Sequence, residues 1–108
     1  MAGMPDFSQI MQLGQQMQGR LSRMQTELAE RSVTGSAGGG MVTVTADGRG
    51  RIRTVKIDPA ALTGGDGEMV EDLVLAAVAE AQRRAEALYA EELRKVTGGL
   101  PLPFSLPI

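Results

Sequence analysis

The sequence feature that most constrains the fold is a long helical pattern in the second half of the chain. Apolar residues recur at helical spacing from Glu68 to about Val96. The inward-facing set is Val70, Val74, Ala77, Ala81, Ala85 and Leu88. A helix of about 29 residues extends roughly 43 Å, whereas a compact chain of 108 residues is only about 35 Å across. The helix must therefore extend beyond the body of the domain.

An overhanging apolar stripe would face water in a monomer, and monomeric proteins rarely expose large apolar patches. Seven alanines between Ala76 and Ala90 would also allow the backbone of another helix to approach closely. We therefore expect a symmetric homodimer. The alternative is a monomer in which two long helices lie antiparallel on one sheet.

The first segment predicts a second long helix. Its apolar stripe comprises Ile10, Leu13, Met17, Leu21, Met24 and Leu28. Asp6 can cap this helix at its N-terminus, and Asp66 can cap the later one. Gly14 and Gly19 each lower the intrinsic stability of the helix by up to about 1 kcal/mol relative to Ala. The first helix is therefore expected to depend on packing.

The hydrophobic period changes from helical to alternating after Ser32. Residues 41–45 and 51–57 alternate in β-rich sequence, and Asp47-Gly-Arg-Gly50 between them is typical of a hairpin turn. A weaker strand is expected around residues 31–36, and Asp58-Pro59 predicts one short helical turn. In the second hairpin strand, Ile52 is expected to share a face with Thr54 and Lys56. The fold class is α+β: an α-β-β-β-α protomer with a three-stranded antiparallel sheet and two long helices.

Two glycines, Gly98 and Gly99, end the long helix and divide the chain into two parts. Residues 1–98 form the expected domain, and residues 99–108 form a Pro-rich flexible tail that cannot be helical. The tail is expected to be extended or disordered, and the alternative is that it is a recognition segment.

The composition argues against most enzyme classes. The chain has no Cys and no His, so thiolate metal sites and Cys or His catalysis cannot be built. Gly35–Gly40 is not a phosphate loop, because no Gly-Lys-Ser/Thr follows it and the next element is a strand. The acids at the start of the long helix suit its dipole better than they suit a metal ion. We expect no enzyme activity, no cofactor, no metal, no small-molecule substrate and no membrane span, in a soluble intracellular protein.

Charge is divided unequally along the chain. Residues 1–57 hold four acids and seven bases, which gives +3, whereas residues 58–108 hold nine acids and four bases, which gives −5. Seven arginines form three candidate groups for nucleic-acid contact: Arg20 with Arg23, Arg49 with Arg51 and Arg53, and Arg83 with Arg84. Three aromatic residues offer little surface for stacking on single strands. Contact with a duplex backbone is therefore the available mode.

Several ordered segments resemble the YbaB/EbfC family of bacterial nucleoid-associated proteins. They are Val33-Thr34-Gly35, Gly39-Gly40-Met41-Val42-Thr43-Val44-Thr45, Gly48, Val55, Ile57-Asp58-Pro59, Glu71-Asp72-Leu73-Val74 and Ala76-Ala77. The Gln/Met-rich first helix and the short tail with Gly-Leu-Pro elements continue the resemblance, which covers essentially the whole chain in order.

The resemblance implies a tweezer-like homodimer with paired sheets at the base and helices as arms. It also implies binding of double-stranded DNA with low sequence specificity, for nucleoid organisation or gene regulation, in the cytoplasm at the nucleoid. The family's DNA contacts are attributed mainly to the helical arms, so the choice of arginines depends on charge and placement. The alternative function is a dimeric adaptor that grips a protein partner and contacts DNA only incidentally.

Overall fold

A computed structural model of the chain describes residues 6–98. The elements are α1 (Phe7–Glu30), β1 (Ser32–Ala37), β2 (Val42–Asp47), β3 (Ile52–Ile57), α2 (Pro59–Leu62) and α3 (Gly67–Gly98). This order confirms the α-β-β-β-α protomer and the α+β class. Residues 99–108, the proposed tail, lie outside the described residues.

The three strands form one antiparallel sheet in the order β1-β2-β3. The β1–β2 link at Gly38, Gly39 and Gly40 has positive φ at all three glycines, at 65°, 65° and 95°. Residues with a Cβ rarely adopt this conformation, so the glycines make the tight link possible. The sequence prediction for the first strand, around residues 31–36, is confirmed with its bounds shifted by one residue.

The core lies between α3 and the first two strands. Its fully buried members are Val42, Val44, Ala46, Ala77 and Ala81. The helix approaches the sheet so closely that a Cβ on Gly35 would clash with the Ala77 carbonyl oxygen and with the Ala81 nitrogen. Gly35 on the strand and alanines on the helix are therefore the residues that this separation requires.

Strand β3 contains an irregularity that sequence alternation missed. The register shifts between Thr45 and Ala46, so that Thr54 pairs with Thr45 but Ile52 pairs with Ala46. Residues directly opposite each other in an antiparallel pair share a face. The prediction that Ile52 shares a face with Thr54 was wrong, because the bulge brings Ile52 to the helix side of the sheet.

The C-terminal end of α1 is fixed to the sheet by packing and by a backbone hydrogen bond. Met24 and Leu28 are buried, and the Gly48 N–H donates to the Leu28 carbonyl oxygen at 2.8 Å. A Cβ on Gly48 would lie 2.7 Å from that same oxygen. At the other end of α1, Asp6 caps the helix by accepting from the Gln9 N–H at 2.8 Å.

The described protomer is elongated. It measures 75 × 24 × 16 Å with a radius of gyration of 20.6 Å, whereas a compact chain of this size would have about 13 Å. The elongation arises because α1 and the C-terminal half of α3 extend together past the sheet, running antiparallel and in contact with each other. The pair formed by α1 and residues 86–98 of α3 is called the arm below, and the sheet with residues 67–85 of α3 is called the base.

Candidate nucleic-acid interface

The first arginine pair lies on the arm. Arg20 and Arg23 are exposed on α1, and they line an open hollow of about 280 Å³ between α1 and α3. Lys95 of α3 lies on the opposite wall of this hollow. Within residues 6–98, neither Arg20 nor Arg23 has a carboxylate within 4.0 Å. The hollow is also lined by Glu27 and Glu92, so three cationic side chains and two carboxylates share one concave surface.

The second pair, Arg83 and Arg84, shares one carboxylate on α3. Glu80 accepts from Arg83 at 3.0 Å and pairs with Arg84 at 2.9 Å. The hydrogen bond from Arg83 and the positive charge of Arg84 lower the pKa of Glu80 below its ordinary value. Arg84 also donates to the Thr34 carbonyl oxygen at 2.9 Å. Arg84 therefore joins α3 to β1, and an anion would compete with Glu80 for both guanidinium groups.

The hairpin arginines are organised by a buried carboxylate. Asp47 accepts from the backbone N–H of Arg49 at 2.8 Å and from that of Arg51 at 3.1 Å, and it lies 3.7 Å from the Arg53 guanidinium. Burial favours a higher pKa for Asp47, but the two N–H donors and the Arg53 charge outweigh burial and lower it. Arg53 also donates to the Ala29 carbonyl oxygen at the end of α1.

The side chains of Arg49 and Arg51 differ from that of Arg53. Both residues are exposed, and no carboxylate of residues 6–98 lies within ion-pair distance of either guanidinium. Arg49 lines an open hollow of about 340 Å³ against α3, where Gln82, Glu86 and Tyr89 form the opposite wall. The hairpin therefore presents a second exposed cationic surface, on the base rather than on the arm.

The seven predicted arginines thus occupy separate places. The structure brings Arg20 and Arg23 together and places Arg49 and Arg51 on the hairpin, while Arg53, Arg83 and Arg84 contact acids. Sequence reasoning missed Lys95, which contacts Glu92 at 3.2 Å and faces the same hollow as Arg20. The antiparallel pairing of the two long helices was the signal that could have found it.

Two other kinds of site were sought in residues 6–98. No group of three or more acidic residues is close enough to hold a metal ion in that part of the chain. None of its helices has an apolar stretch long enough to cross a bilayer.

Comparison with known proteins identifies relatives over nearly the whole chain. A family model described as the YbaB/EbfC DNA-binding family matches residues 4–100. A nucleoid-associated protein of Gemmatimonas aurantiaca is 48% identical over 91 residues, which cover 84% of this chain and 88% of that protein. A nucleoid-associated protein of Rhizobium meliloti, R00231, is 41% identical over 100 residues, covering 93% and 94%.

The fold is also similar to that of a solved protein. The crystal structure of the uncharacterized protein HP0035 from Helicobacter pylori superposes with a TM-score of 0.78 at 25% sequence identity. The match covers 85% of this chain and 97% of that one. The long helices and the small sheet are therefore a shared architecture.

Proposed function

We propose, because the chain belongs to the YbaB/EbfC DNA-binding family, that it is a nucleoid-associated protein that binds double-stranded DNA as a homodimer. In this proposal it binds the phosphate backbone with low sequence specificity. It organises the nucleoid or regulates genes, and it resides in the cytoplasm where the chromosome is accessible.

The observation that carries this proposal is a pair of arginines on the arm that form no ion pair with any other part of residues 6–98. Arg20 and Arg23 lie on an elongated helical pair beside Lys95, and within residues 6–98 neither arginine forms an ion pair, although Glu27 and Glu92 line the same hollow. Guanidinium groups bind phosphate oxygens in a bidentate way and displace counterions from DNA. A narrow, extended arm can follow a duplex more readily than a compact body can.

The other predicted arginines take lower ranks in the proposed interface. Arg49 and Arg51 come second, because they form no ion pair within residues 6–98 but lie on the base. Arg53, Arg83 and Arg84 come third, because DNA would have to replace Asp47 or Glu80 as their partner. This ranking follows from the number of existing contacts that each side chain would lose.

Low specificity is supported by the kinds of residue on the surface. Phosphate contacts position a protein on DNA without reading its sequence, and sequence is read through base edges or aromatic stacking. The described part of the chain has only Phe7 and Tyr89 as aromatic residues. The available chemistry is therefore electrostatic and sensitive to salt.

Dimerisation is supported by an uncovered apolar surface on β3. Helix α3 packs on β1 and β2, whereas Ile52 and Val55 on the helix side of β3 remain 38% and 44% exposed. The outer edge of β3 is also unpaired in the described sheet. A second protomer that packs on this surface would bury both side chains and double the number of basic arms.

A gel-shift titration of long duplex DNA at several salt concentrations tests the DNA proposal. The observed binding constant should fall with salt, with a log–log slope of about −0.9 per phosphate neutralised. Duplexes of unrelated sequence should bind with similar affinity. Absence of binding at low salt would overturn the proposal and favour the adaptor function.

Light scattering tests the dimer separately. The unaltered chain should have twice the mass of one protomer. A variant with Ile52→Ser and Val55→Ser should dissociate into monomers at a higher protein concentration than the unaltered chain does. A variant with Thr43→Ser and Thr54→Ser, on the opposite face of the sheet, is the matched control. A monomeric mass for the unaltered chain would refute dimerisation without affecting the DNA test.

A further inference from the structure

The sheet has a second face, which is turned away from α3 and lined by hydroxyl groups. Val42, Val44 and Ala46 of β2 are buried against α3, so the residues that alternate with them point to the opposite side. The pairing of the strands carries this alternation into β1 and β3. This surface is called the hydroxyl face below, and its members are Ser32, Thr34, Ser36, Thr43, Thr45, Thr54 and Lys56.

The strand register arranges the hydroxyl face in regular rows. Thr34, Thr45 and Thr54 lie opposite one another on the three neighbouring strands. A second row is formed in the same order by Ser36, Thr43 and Lys56. Neighbouring positions are about 5 Å apart across the strands and about 7 Å apart along them. The face can therefore offer several donors at once to a ligand with a row of acceptors.

The threonine hydroxyls of this face are not used by the fold. Elsewhere in the described chain, Thr26, Thr63 and Thr97 each donate to a backbone carbonyl oxygen of a nearby helical residue. On the hydroxyl face, none of the four threonine side chains forms a hydrogen bond with another group of residues 6–98. The two on the outer strands are exposed, and the two on β2 are half-buried. These donors are therefore available to a ligand.

The charge of this part of the chain favours an anionic ligand. Residues 32–57 hold four bases and one acid, Asp47. The Asp47 carboxylate is buried and accepts from two backbone N–H groups of the hairpin. Lys56 is exposed, and no carboxylate of residues 6–98 lies within 4.0 Å of its ammonium group. The flanking acids, Glu30 in α1 and Asp58 before α2, lie outside the strands.

A duplex phosphate backbone matches both properties of the hydroxyl face. Serine and threonine side chains are among the groups that hydrogen-bond phosphate oxygens in protein–DNA complexes, and hydrogen bonds to a charged acceptor are stronger than those to a neutral one. Each DNA strand presents such acceptors in a repeating row, with one negative charge at each step. Threonine is favoured on exposed strands for its shape alone, so the charge of residues 32–57 is the observation that points to an anion.

We propose that the hydroxyl face is a second phosphate-binding surface for double-stranded DNA, in which threonine hydroxyls donate to phosphate oxygens and Lys56 supplies positive charge. Because DNA is its ligand, this site rests on the function proposed above. It adds to the base a surface that contains none of the seven candidate arginines and that holds phosphates mainly through neutral donors. Contacts of this kind position a protein on DNA without reading its sequence.

Gel shifts at several salt concentrations can separate the two kinds of contact, because a neutral hydroxyl group displaces no counterion from DNA. A triple variant with Thr34→Val, Thr45→Val and Thr54→Val keeps the branched shape and strand preference of each side chain but removes its donor. It should bind duplex about tenfold more weakly at every salt concentration, with an unchanged salt slope. Lys56→Gln should instead reduce the magnitude of the slope by about 0.9.

The matched control is the triple variant with Thr34→Ser, Thr45→Ser and Thr54→Ser, which loses three methyl groups but retains the hydroxyls. It should bind DNA about as tightly as the unaltered chain, and circular dichroism checks that both triple variants are folded. Equal weakening of the two triple variants, or unweakened binding by the valine variant, would overturn the proposal. Absence of binding by the unaltered chain at low salt would overturn the proposed DNA function as well, so the two failures can be told apart.

Nuclear magnetic resonance can locate the contact on the unaltered chain. Addition of a short duplex should shift the ¹⁵N amide signals of residues 34, 45, 54 and 56. The signals of residues 67–72, at the acidic start of α3, should not move and serve as the internal control. A duplex that shifts signals of the arm but not those of the hydroxyl face would overturn this proposal and leave the proposed DNA function intact.

Discussion

The base and the arm of this protomer contain the same kinds of residue in different surroundings. On the base, Arg53 and Arg84 contact carboxylates, and Gly35 lies against the backbone of α3. On the arm, Arg20 has no carboxylate partner within residues 6–98, and a Cβ on Gly14 would have no neighbouring atom of that part of the chain within 4 Å. The density of packing, rather than residue type, therefore decides which side chains hold the fold and which can meet a partner.

The largest expected effect is that of adding a methyl group at Gly35. Gly35→Ala should lower the free energy of unfolding by about 3 kcal/mol, because the new Cβ would clash with fixed backbone atoms rather than with a movable side chain. Urea unfolding followed by circular dichroism measures this change.

The matching substitution on the arm is Gly14→Ala. It should raise stability by up to about 1 kcal/mol, since the site is open and Ala is the better helix former. Equal losses at Gly35 and Gly14 would remove the distinction between a packed base and an open arm.

The next effect concerns DNA and compares two arginine pairs of equal charge. Arg20→Gln with Arg23→Gln should reduce the magnitude of the salt slope of DNA binding by about 1.8, because two phosphate contacts are lost at about 0.9 each. Arg83→Gln with Arg84→Gln removes the same charge but should change the slope much less. Gel shifts measure both, and circular dichroism checks folding. A larger change from the Arg83 pair would reverse the proposed ranking.

Much of this architecture could be predicted from local sequence patterns. The apolar spacing from Ile10 to Leu28 and from Glu68 to about Val96 indicated the helices that the structure has at residues 7–30 and 67–98. The turn after Asp47 indicated the hairpin. Local capping was equally accessible, because Asp58 and Asp66 immediately precede their helices and accept from N–H groups of the first turn. These features depend on neighbours within a few residues.

The parts that escaped prediction depend on distant neighbours. The bulge that brings Ile52 to the helix side cannot be inferred from alternation within β3, since it is a property of the pairing with β2. The contact between Arg53 and Asp47 depends on that same pairing, and the position of Lys95 opposite Arg20 depends on helix packing. Glu80 as a partner of Arg83 and Arg84 could be anticipated, because helix neighbours three and four residues apart meet.

A third prediction tests whether a buried carboxylate organises the hairpin arginines. The pKa of Asp47 is lowered in the folded chain from an ordinary value of 3.8. Its ionised form therefore stabilises the fold above about pH 3.8, and this contribution is lost as the pH falls through the folded-state pKa. Asp47→Asn should lower the midpoint of thermal unfolding at pH 7, and the difference from the unaltered chain should narrow in acid.

The control for that measurement is Asp58→Asn at the start of α2, where the side chain accepts one N–H at 2.9 Å and is exposed. Asparagine is an equally good N-cap, so this variant should unfold close to the midpoint of the unaltered chain. If the unfolding midpoints of Asp47→Asn and the unaltered chain differ by the same amount at pH 7 and in acid, the charge of Asp47 is not what stabilises the hairpin.

The smallest expected effect tests whether Glu80 keeps Arg83 and Arg84 from DNA. Glu80→Gln removes the shared carboxylate, and exposed ion pairs of this kind contribute little to stability, so folding should be nearly unchanged. The salt slope of DNA binding should then become steeper, by at most about 1.8 if both guanidinium groups gain a phosphate. The control is Glu86→Gln, which removes the same charge from α3 without breaking an ion pair within residues 6–98. A steeper slope for Glu80→Gln than for this control would therefore come from freeing Arg83 and Arg84 from Glu80, and not from the loss of one negative charge. Equal slopes for the two variants would mean that Glu80 does not restrain the arginines, and the contrast between base and arm would then depend on their position alone.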